Sequence, residues 1–208
     1  MLIFKITFKN VAKFYQKHAV IKNINYHFDG QRYCIVGPNG SGKTTLLMLA
    51  AGLESVSAGE ITFNDQAVHL IKTKRHLGIS SDKIMLPDFL TAQQLLEFHC
   101  AQHDCSFPDT LIEHLGFTVQ LATQVSALSL GSLKKLSLLL ALAHQPQCLL
   151  LDEPTTGLDH NSRVWLLDFL NHYQGQVIVT SHEQNFTANP QYQQVALAEL
   201  NQASEITL

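Results

Sequence analysis

A glycine-rich loop is the segment of this sequence best suited to chemistry. Residues 37–44 read Gly-Pro-Asn-Gly-Ser-Gly-Lys-Thr, between an apolar run and a segment of helical character. Glycines let successive backbone N–H groups turn toward one anion, and the amino end of the following helix adds positive potential. Lys43 is placed to reach terminal phosphates, and the Thr44 hydroxyl suits Mg²⁺. The loop therefore predicts phosphate and magnesium binding, a chance match being the alternative. The residues predicted to bind are Gly37, Pro38, Asn39, Gly40, Ser41, Gly42, Lys43, Thr44 and Thr45.

Two adjacent carboxylates, Asp152 and Glu153, follow the apolar run at residues 148–151. The carboxyl end of a buried strand beside a phosphate loop is where a magnesium ion needs an acidic partner. We expect Asp152 to be that metal-side carboxylate. Glu153 is then placed to act as the general base that polarises water for in-line attack on a γ-phosphate. Taken alone, the pair fits a solvated strand end better.

The elements that must position these residues alternate along the chain. The apolar patterns predict strands at residues 33–36, 59–63, 76–80, 148–151 and 176–180, and helices at residues 43–52, 131–144 and 161–172. Such alternation indicates an α/β fold with a mainly parallel, helix-covered sheet. A helical stretch from residue 87 to about 123 begins with a capping-box pattern at Thr91, and Pro108 suits a first helical turn. We expect a helical subdomain at about residues 83–143.

The start of the chain and its composition narrow the class of protein. Leu2, Phe4, Ile6 and Phe8 alternate with more polar residues, as in a half-buried strand rather than a signal peptide.

The length fits a single domain, residues 1–208. A net charge of −3 gives no electrostatic reason to expect a nucleic-acid partner. The longest apolar stretch, residues 136–143, is too short to span a membrane.

Four cysteines at uneven spacing do not suggest a disulfide framework. Cys34 and Cys148 stand inside apolar runs, which is typical of buried free thiols in a reducing compartment. We therefore expect a cytoplasmic protein.

Taken together, the motifs resemble the ATP-binding-cassette (ABC) ATPases over essentially the whole chain. Residues 128–132, Leu-Ser-Leu-Gly-Ser, stand where that family has its LSGGQ signature and keep its serine and second glycine. The resemblance implies a P-loop NTPase fold of ABC type, with an N-terminal antiparallel β subdomain. It also implies that Ser129 and Gly131 contact the γ-phosphate of ATP held by the other subunit of a head-to-tail homodimer. Judged alone, Ser129 is better explained as an ordinary helix N-cap.

Further positions match the family in order. His182 corresponds to the switch histidine, which contacts the γ-phosphate, and residues 157–159, Gly-Leu-Asp, resemble the D-loop. Asp159 could equally cap the following helix. Tyr15 stands where the family has its adenine-stacking aromatic residue. Core packing is an equal alternative for Tyr15, and the adjacent Phe14 could be the stacking residue instead.

Two features depart from the family pattern. Asp82 stands where the family usually has a glutamine, and its carboxylate either ligates the cation or stays back from the nucleotide. His99 and His103 lie four apart on a predicted helix, near Cys100 and Cys105. They could share a metal with a cysteine, although a polar helix face is the simpler interpretation.

The function that the resemblance implies is ATP hydrolysis that powers a transporter. The expected ligands are ATP and Mg²⁺, and the expected partners are a second copy and separate transmembrane permease subunits. We expect the subunit to lie peripherally on the inner face of the cell membrane. One alternative is a cassette ATPase acting on DNA or ribosomes, which would favour fused cassettes, a coiled-coil insertion or a basic arm. Another is a nucleotide-binding regulator without turnover. The short segment after His182 leans weakly toward export, and the cargo is not predicted.

Overall fold

The chain forms two β-sheets and eight α-helices within residues 4–202, which are the residues that this computed structural model describes. The strands are β1 (Ile6–Tyr15), β2 (His18–Phe28), β3 (Arg32–Val36), β4 (Ala58–Phe63), β5 (Gln66–Ala67), β6 (Leu77–Ser80), β7 (Cys148–Asp152), β8 (Gln176–Thr180) and β9 (Gln193–Ala196). The helices are α1 (Lys43–Ala50), α2 (Ile71–Lys74), α3 (Ala92–His103), α4 (Asp109–His114), α5 (Leu130–Leu142), α6 (His160–His172), α7 (Gln184–Thr187) and α8 (Leu197–Gln202).

The N-terminal sheet is antiparallel, in the order β2-β1-β4-β5. Its inner face carries Ile6 and Phe8, as the alternating pattern predicts. Asn64 and Asp65 join β4 to β5 with φ angles of 47° and 62°, the left-handed conformation that a two-residue hairpin turn requires. The predicted start of the first strand is wrong, because β1 begins at Ile6. Leu2 lies outside the described residues.

The second sheet is parallel throughout, in the order β6-β7-β8-β3-β9. Both faces are covered, so consecutive residues of β7 enter different clusters. Cys148 and Leu150 pack with α1 and the antiparallel sheet, whereas Leu149 and Leu151 pack with α3, α5 and α6. Cys148 is a buried free thiol, as predicted. The predicted fold class is confirmed: a mainly parallel, helix-covered sheet beside an antiparallel one.

Between β6 and β7 the described chain is helical. The Thr91 side chain accepts from the Gln94 N–H while the Gln94 side chain accepts from the Thr91 N–H, which completes the predicted capping box of α3. Pro108 was expected inside the first turn of a helix, but it is instead the N-cap of α4. Within residues 4–202, no helix combines the length and the apolar character needed to cross a membrane.

The segment after His182 holds more structure than the short tail that the sequence suggests. It forms α7, β9 and α8, and β9 pairs in parallel with β3 at one edge of the sheet. The Lys22 N–H donates to Asn201 Oδ1 at 3.0 Å, so α8 is also tied to β2. The C-terminal segment therefore connects the strand that leads into the phosphate loop to the N-terminal sheet.

Candidate nucleotide-binding site

The glycine-rich loop leaves β3 at its carboxyl end and leads into α1. Gly40 and Gly42 have φ angles of 77° and 107°, which L side chains rarely adopt. A Cβ on Gly42 would also lie 2.7 Å from a methyl group of Val20, so the close packing of the loop on β2 needs glycine here. The buried Ser41 hydroxyl has no hydrogen-bond partner within the described chain. Such an unpaired polar atom suits a loop that binds an anion.

Lys43 begins α1 and folds its side chain back over this loop. Its Nζ donates to the carbonyl oxygens of Gly37 at 2.6 Å and Pro38 at 3.1 Å, and lies 3.2 Å from His182 Nε2. Since an ammonium group only donates, His182 Nε2 is the acceptor in this contact. The structure therefore brings Lys43 and His182 together on the phosphate loop.

Asp152 ends β7 with both carboxylate oxygens engaged. Oδ1 accepts from the Thr180 hydroxyl at 2.6 Å and Oδ2 from the Ser81 hydroxyl at 2.9 Å. β7 lies between β6 and β8 in the sheet, so the two donors come from its neighbours: Ser81 follows the carboxyl end of β6, and Thr180 ends β8. They fix the orientation of a carboxylate that keeps free lone pairs for a cation. The motifs did not reveal Ser81 and Thr180, although both stand at strand ends in the sequence.

Glu153 occupies a left-handed backbone conformation, with φ 43°. Its N–H donates to the Thr180 carbonyl oxygen at 3.0 Å, which holds this uncommon conformation in place. Burial raises the pKa of the Glu153 carboxyl, while His182 and Lys43 partly oppose that rise. Its Oε1 lies 3.9 Å from His182 Nε2. A partly desolvated carboxylate beside two cationic or polar groups is suited to proton transfer.

Asp82 forms an ion pair that the sequence did not predict. Lys134, on α5, places Nζ 3.1 Å from Asp82 Oδ1 and 2.8 Å from the carbonyl oxygen of Asp152. The Lys134 side chain is only 4% exposed, and that of Asp82 is 77% exposed. Asp82 thus faces the site with its charge partly balanced. Because Lys134 also contacts the carbonyl oxygen of Asp152, it connects α5 to the end of β7.

Tyr15 and Phe14 are both exposed at the end of β1, with 43% and 48% of their surfaces accessible. Only Tyr15 is among the residues that line the cavity beside the loop. Its hydroxyl donates to Glu54, and the Lys13 ammonium lies 5.0 Å from its ring centre. These contacts hold the ring at the cavity edge, which favours Tyr15 over Phe14 as a stacking surface.

One cavity of about 500 Å³ collects most of the predicted residues, and its volume is typical of a small-molecule site. Its lining residues are Tyr15, Val20, Asn39, Gly40, Gly42, Lys43, Thr44, Thr45, Asp82, Lys83, Asp152 and Glu153. Ser129 and Gly131 are not among them. A chain acting alone therefore has a nucleotide-sized cavity without the signature segment.

The signature segment lies at the amino end of α5, beside the loop at residues 157–159. The Ser129 hydroxyl accepts from the Ser132 N–H at 3.2 Å, so Ser129 is an N-cap, as its local pattern suggests. A Cβ on Gly131 would lie 2.9 Å from the carbonyl oxygen of Gly157, which explains a glycine there. Asp159 caps α6 and pairs with Lys135 of α5 at 2.5 Å. The two loops are thus held together as one surface.

Comparison with known proteins finds relatives across most of the chain. A family model described as "ABC transporter" matches residues 21–156. The linearmycin resistance ATP-binding protein LnrL of Bacillus subtilis is 30% identical, over 84% of this chain and 60% of its own. The sulfate/thiosulfate import ATP-binding protein CysA of Synechocystis is 36% identical, over 85% and 52%. The ribosome protection protein VmlR of Bacillus subtilis is 32% identical, over 86% and 31%. The chain thus spans only 31% to 60% of the length of these relatives.

Solved structures share the fold. An ATP-binding subunit of an ABC transporter superposes with a TM-score of 0.80 at 20% identity, over 94% of this chain and 85% of its own. That likeness concerns the fold alone. The ATP-binding cassette MJ0796, in a dimeric post-hydrolysis state bound to ADP and Pi, has a TM-score of 0.74 at 26% identity, over 86% of this chain and 89% of its own.

Proposed function

Because this chain belongs to the ABC transporter family, we propose that it is a subunit that binds and hydrolyses ATP to drive transport through separate transmembrane permease subunits. The observation that carries the proposal is the convergence of Lys43, Asp152 and Glu153 on one cavity at the carboxyl ends of parallel strands. Those groups are what phosphoryl transfer to water requires. We take residues 1–208 as one ATPase domain with a helical subdomain at about residues 83–143.

The donor set fits a magnesium ion. Hydroxyl and carboxylate oxygens are its preferred ligands, and the Thr44 hydroxyl and the Asp152 carboxylate line the same cavity. Asp82 is the third candidate ligand, with its charge partly balanced by Lys134. When bound, the ion supplies charge neutralisation across the β- and γ-phosphates.

The remaining groups would act on the triphosphate and on water. Lys43 and the loop N–H groups would bind the terminal phosphates, and the unpaired Ser41 hydroxyl has a proton to donate to them. The raised pKa of Glu153 makes its carboxylate a stronger base toward an attacking water. His182, already in contact with Lys43, is placed to stabilise charge on the γ-phosphate. Tyr15 would stack on the adenine.

Completion of the site would require a second copy of the chain. Ser129 and Gly131 lie outside the cavity of their own chain, and the amino end of α5 offers N–H groups and a positive dipole to an anion. In a head-to-tail homodimer, this end of α5 would close on the γ-phosphate bound by the partner. The dimeric state named for MJ0796 supports dimerisation.

We also infer the partners and the location from membership of the family. We place the subunit peripherally on the cytoplasmic face of the cell membrane, against permease subunits of another chain. The named import and resistance roles of CysA and LnrL support a transport function without indicating a cargo. A net charge of −3 offers no attraction to nucleic acid, which argues against a ribosome-directed role like the one named for VmlR.

A Glu153→Gln variant tests the ATPase mechanism. It should bind ATP with Mg²⁺, hydrolyse it at least about a hundredfold more slowly, and accumulate as an ATP-bound dimer. Light scattering after gel filtration, with and without ATP, measures the dimer. Lys43→Ala in the same background is the matched control and should remain monomeric. A Glu153→Gln protein that stays monomeric with ATP bound would exclude the composite site.

Copurification tests the transport assignment separately. A tagged chain expressed at native level should copurify from detergent extracts with a protein of several membrane-spanning helices, and that protein should raise its ATPase activity. Cosedimentation with ribosomes, without any membrane protein, would favour the rival function even if the hydrolysis mechanism holds.

A further inference from the structure

Three half-buried imidazoles converge outside the nucleotide cavity. His99 and His103 lie one turn apart on α3, and His144 follows the end of α5. One ring nitrogen from each lies within 4.8 Å of those of the other two, and His99 Nε2 is 3.1 Å from His144 Nδ1. The sequence analysis considered a cysteine as the third group. The structure places His144 there instead, and the Cys100 Sγ points to the carbonyl oxygen of Ser106.

The hydrogen bonds of His144 leave one of its nitrogens available as a ligand. His144 Nε2 lies 3.3 Å from the carbonyl oxygen of Leu77, which can only accept, so Nε2 carries the proton. Its Nδ1 therefore has a lone pair, directed at His99. Metal-binding histidines characteristically donate the second ring N–H to a backbone carbonyl in this way, which fixes the tautomer and the ring orientation.

The separations suit a tetrahedral ion. At a zinc–nitrogen bond of about 2.0–2.1 Å, neighbouring ligand nitrogens lie about 3.3 Å apart. His99 and His144 are already at 3.1 Å. His103 lies one helical turn from His99, a spacing that places two imidazoles on one helix face for a shared metal. The His103 ring packs on those of His99 and His144, with ring centres 4.3 and 3.9 Å apart, so its side chain must rotate to direct a nitrogen at the ion.

The surroundings keep the rings neutral. Burial, together with the neighbouring His103 and His144, lowers the pKa of His99 to about 4. Burial and the neighbouring His103 lower the pKa of His144 to about 4, although the carbonyl oxygens of Leu77 and Leu140 act in the opposite direction. Burial also lowers the pKa of His103, and the nearby charge of Arg75 lowers it as well. Neutral imidazoles are the form that binds metal, and an all-nitrogen set selects zinc-like ions over Mg²⁺ or Ca²⁺.

We propose that His99, His103 and His144 form a binding site for a divalent transition-metal ion of the zinc type, with the fourth position held by water. The site lies at the amino end of β6, and the carboxyl end of β6 leads to Asp82, which lines the nucleotide cavity. A bound ion would join α3 to the end of α5 and so tie the helical subdomain to the parallel sheet. The proposal is independent of ATP hydrolysis, and its test uses no nucleotide.

Zinc alone, titrated into the full chain after chelator treatment and in excess Mg²⁺, tests the site. Calorimetry should give one ion per chain, and saturating Zn²⁺ should raise Tm by about 5 °C. Replacing Zn²⁺ by Co²⁺ should give the intense visible absorption of a tetrahedral site without a thiolate band. His144→Gln and His103→Gln should each weaken binding by at least about tenfold.

Two control variants separate this site from other donors. His172→Gln removes an exposed imidazole on α6, and Cys105→Ser removes the nearby thiol. Both should bind Zn²⁺ as the parent chain does, and all variants should keep the parent's circular dichroism without metal. Equal binding by His144→Gln and His172→Gln, or no saturable binding by the parent chain, would overturn the proposal. Loss of binding in Cys105→Ser would overturn the three-histidine assignment. If His144→Gln fails to fold, the result with His103→Gln decides.

Discussion

The Asp82–Lys134 ion pair gives the sharpest prediction, because one partner is buried and the other is exposed. At the observed 3.1 Å, two unit charges attract by about 1.3 kcal/mol in water and by about 5 kcal/mol at an effective dielectric constant of about 20. Asp82 is 77% exposed, so the pair lies near the lower value. We expect a coupling free energy of about 1–2 kcal/mol.

A double-mutant cycle with Asp82→Asn and Lys134→Met measures that coupling by urea unfolding without nucleotide. Asp82→Asn should lower the free energy of unfolding by about 1–2 kcal/mol, because a neutral amide replaces a charge-assisted acceptor. Lys134→Met should lower the free energy of unfolding by less than Asp82→Asn does, because losing the ammonium group also removes its desolvation penalty. Asp65→Asn, at an exposed carboxylate in the β4–β5 turn, is the matched control and should change stability by less than about 0.5 kcal/mol.

Additivity of the two single effects within about 0.3 kcal/mol would refute this reasoning. The coupling should also shrink in about 1 M salt, because the exposed carboxylate is screened. In a functional assay, Asp82→Gln should preserve nucleotide binding and alter turnover. Unchanged ATP hydrolysis kinetics would show that position 82 has no part in the chemistry.

Three further predictions follow from the site. Gly131→Ala places a methyl group against the Gly157 carbonyl, so it should reduce ATP-dependent dimerisation at least about tenfold in gel filtration while ATP binding is unchanged. Tyr15→Ala should weaken binding of a fluorescent ATP analogue by about tenfold, and Phe14→Ala by less than about twofold; the reverse order would make Phe14 the stacking residue. Asp159→Asn keeps the helix cap and removes the charge paired with Lys135, which depresses the Asp159 pKa. A depressed pKa stabilises the fold above the ordinary pKa of about 4 and loses that effect as pH falls, so the variant should lose about 0.5–1 kcal/mol at pH 7 and progressively less below about pH 4, by urea unfolding.

The parallel sheet could be predicted because its strands are buried on both faces. The run that forms β8 is apolar over three consecutive residues, and the bounds predicted for it, residues 176–180, match the structure. The antiparallel sheet was harder, because the pairing register shifts between Phe8 and Val11 and interrupts the two-residue period. Asn10, with φ 51°, lies inside that irregular stretch. The end of β1 and the bounds of β2 were therefore not predicted.

In the candidate site, motifs of adjacent residues could be predicted, whereas contacts between residues distant in the sequence could not. The phosphate loop and the Asp152–Glu153 pair are adjacent residues whose spacing is itself the signal. Lys134 is separated from Asp82 by 52 positions, and His144 from His99 by 45. No local pattern relates such residues, because α5 and the strand ends meet only in the folded chain. A lysine among the leucines of α5 was a hint of the ion pair, but Lys135 beside it shows the same pattern.

The pairing of β9 with β3 has a consequence for the solubility of the chain. β3 carries the phosphate loop, and with β9 in place its N–H and C=O groups are bonded on both sides. Without residues 193–196, β3 would become an open edge of five residues, of which Tyr33, Cys34 and Ile35 are buried. Such an edge is a template for strand addition by another chain. A fragment cut after His182 would keep every motif of the site and still be expected to aggregate.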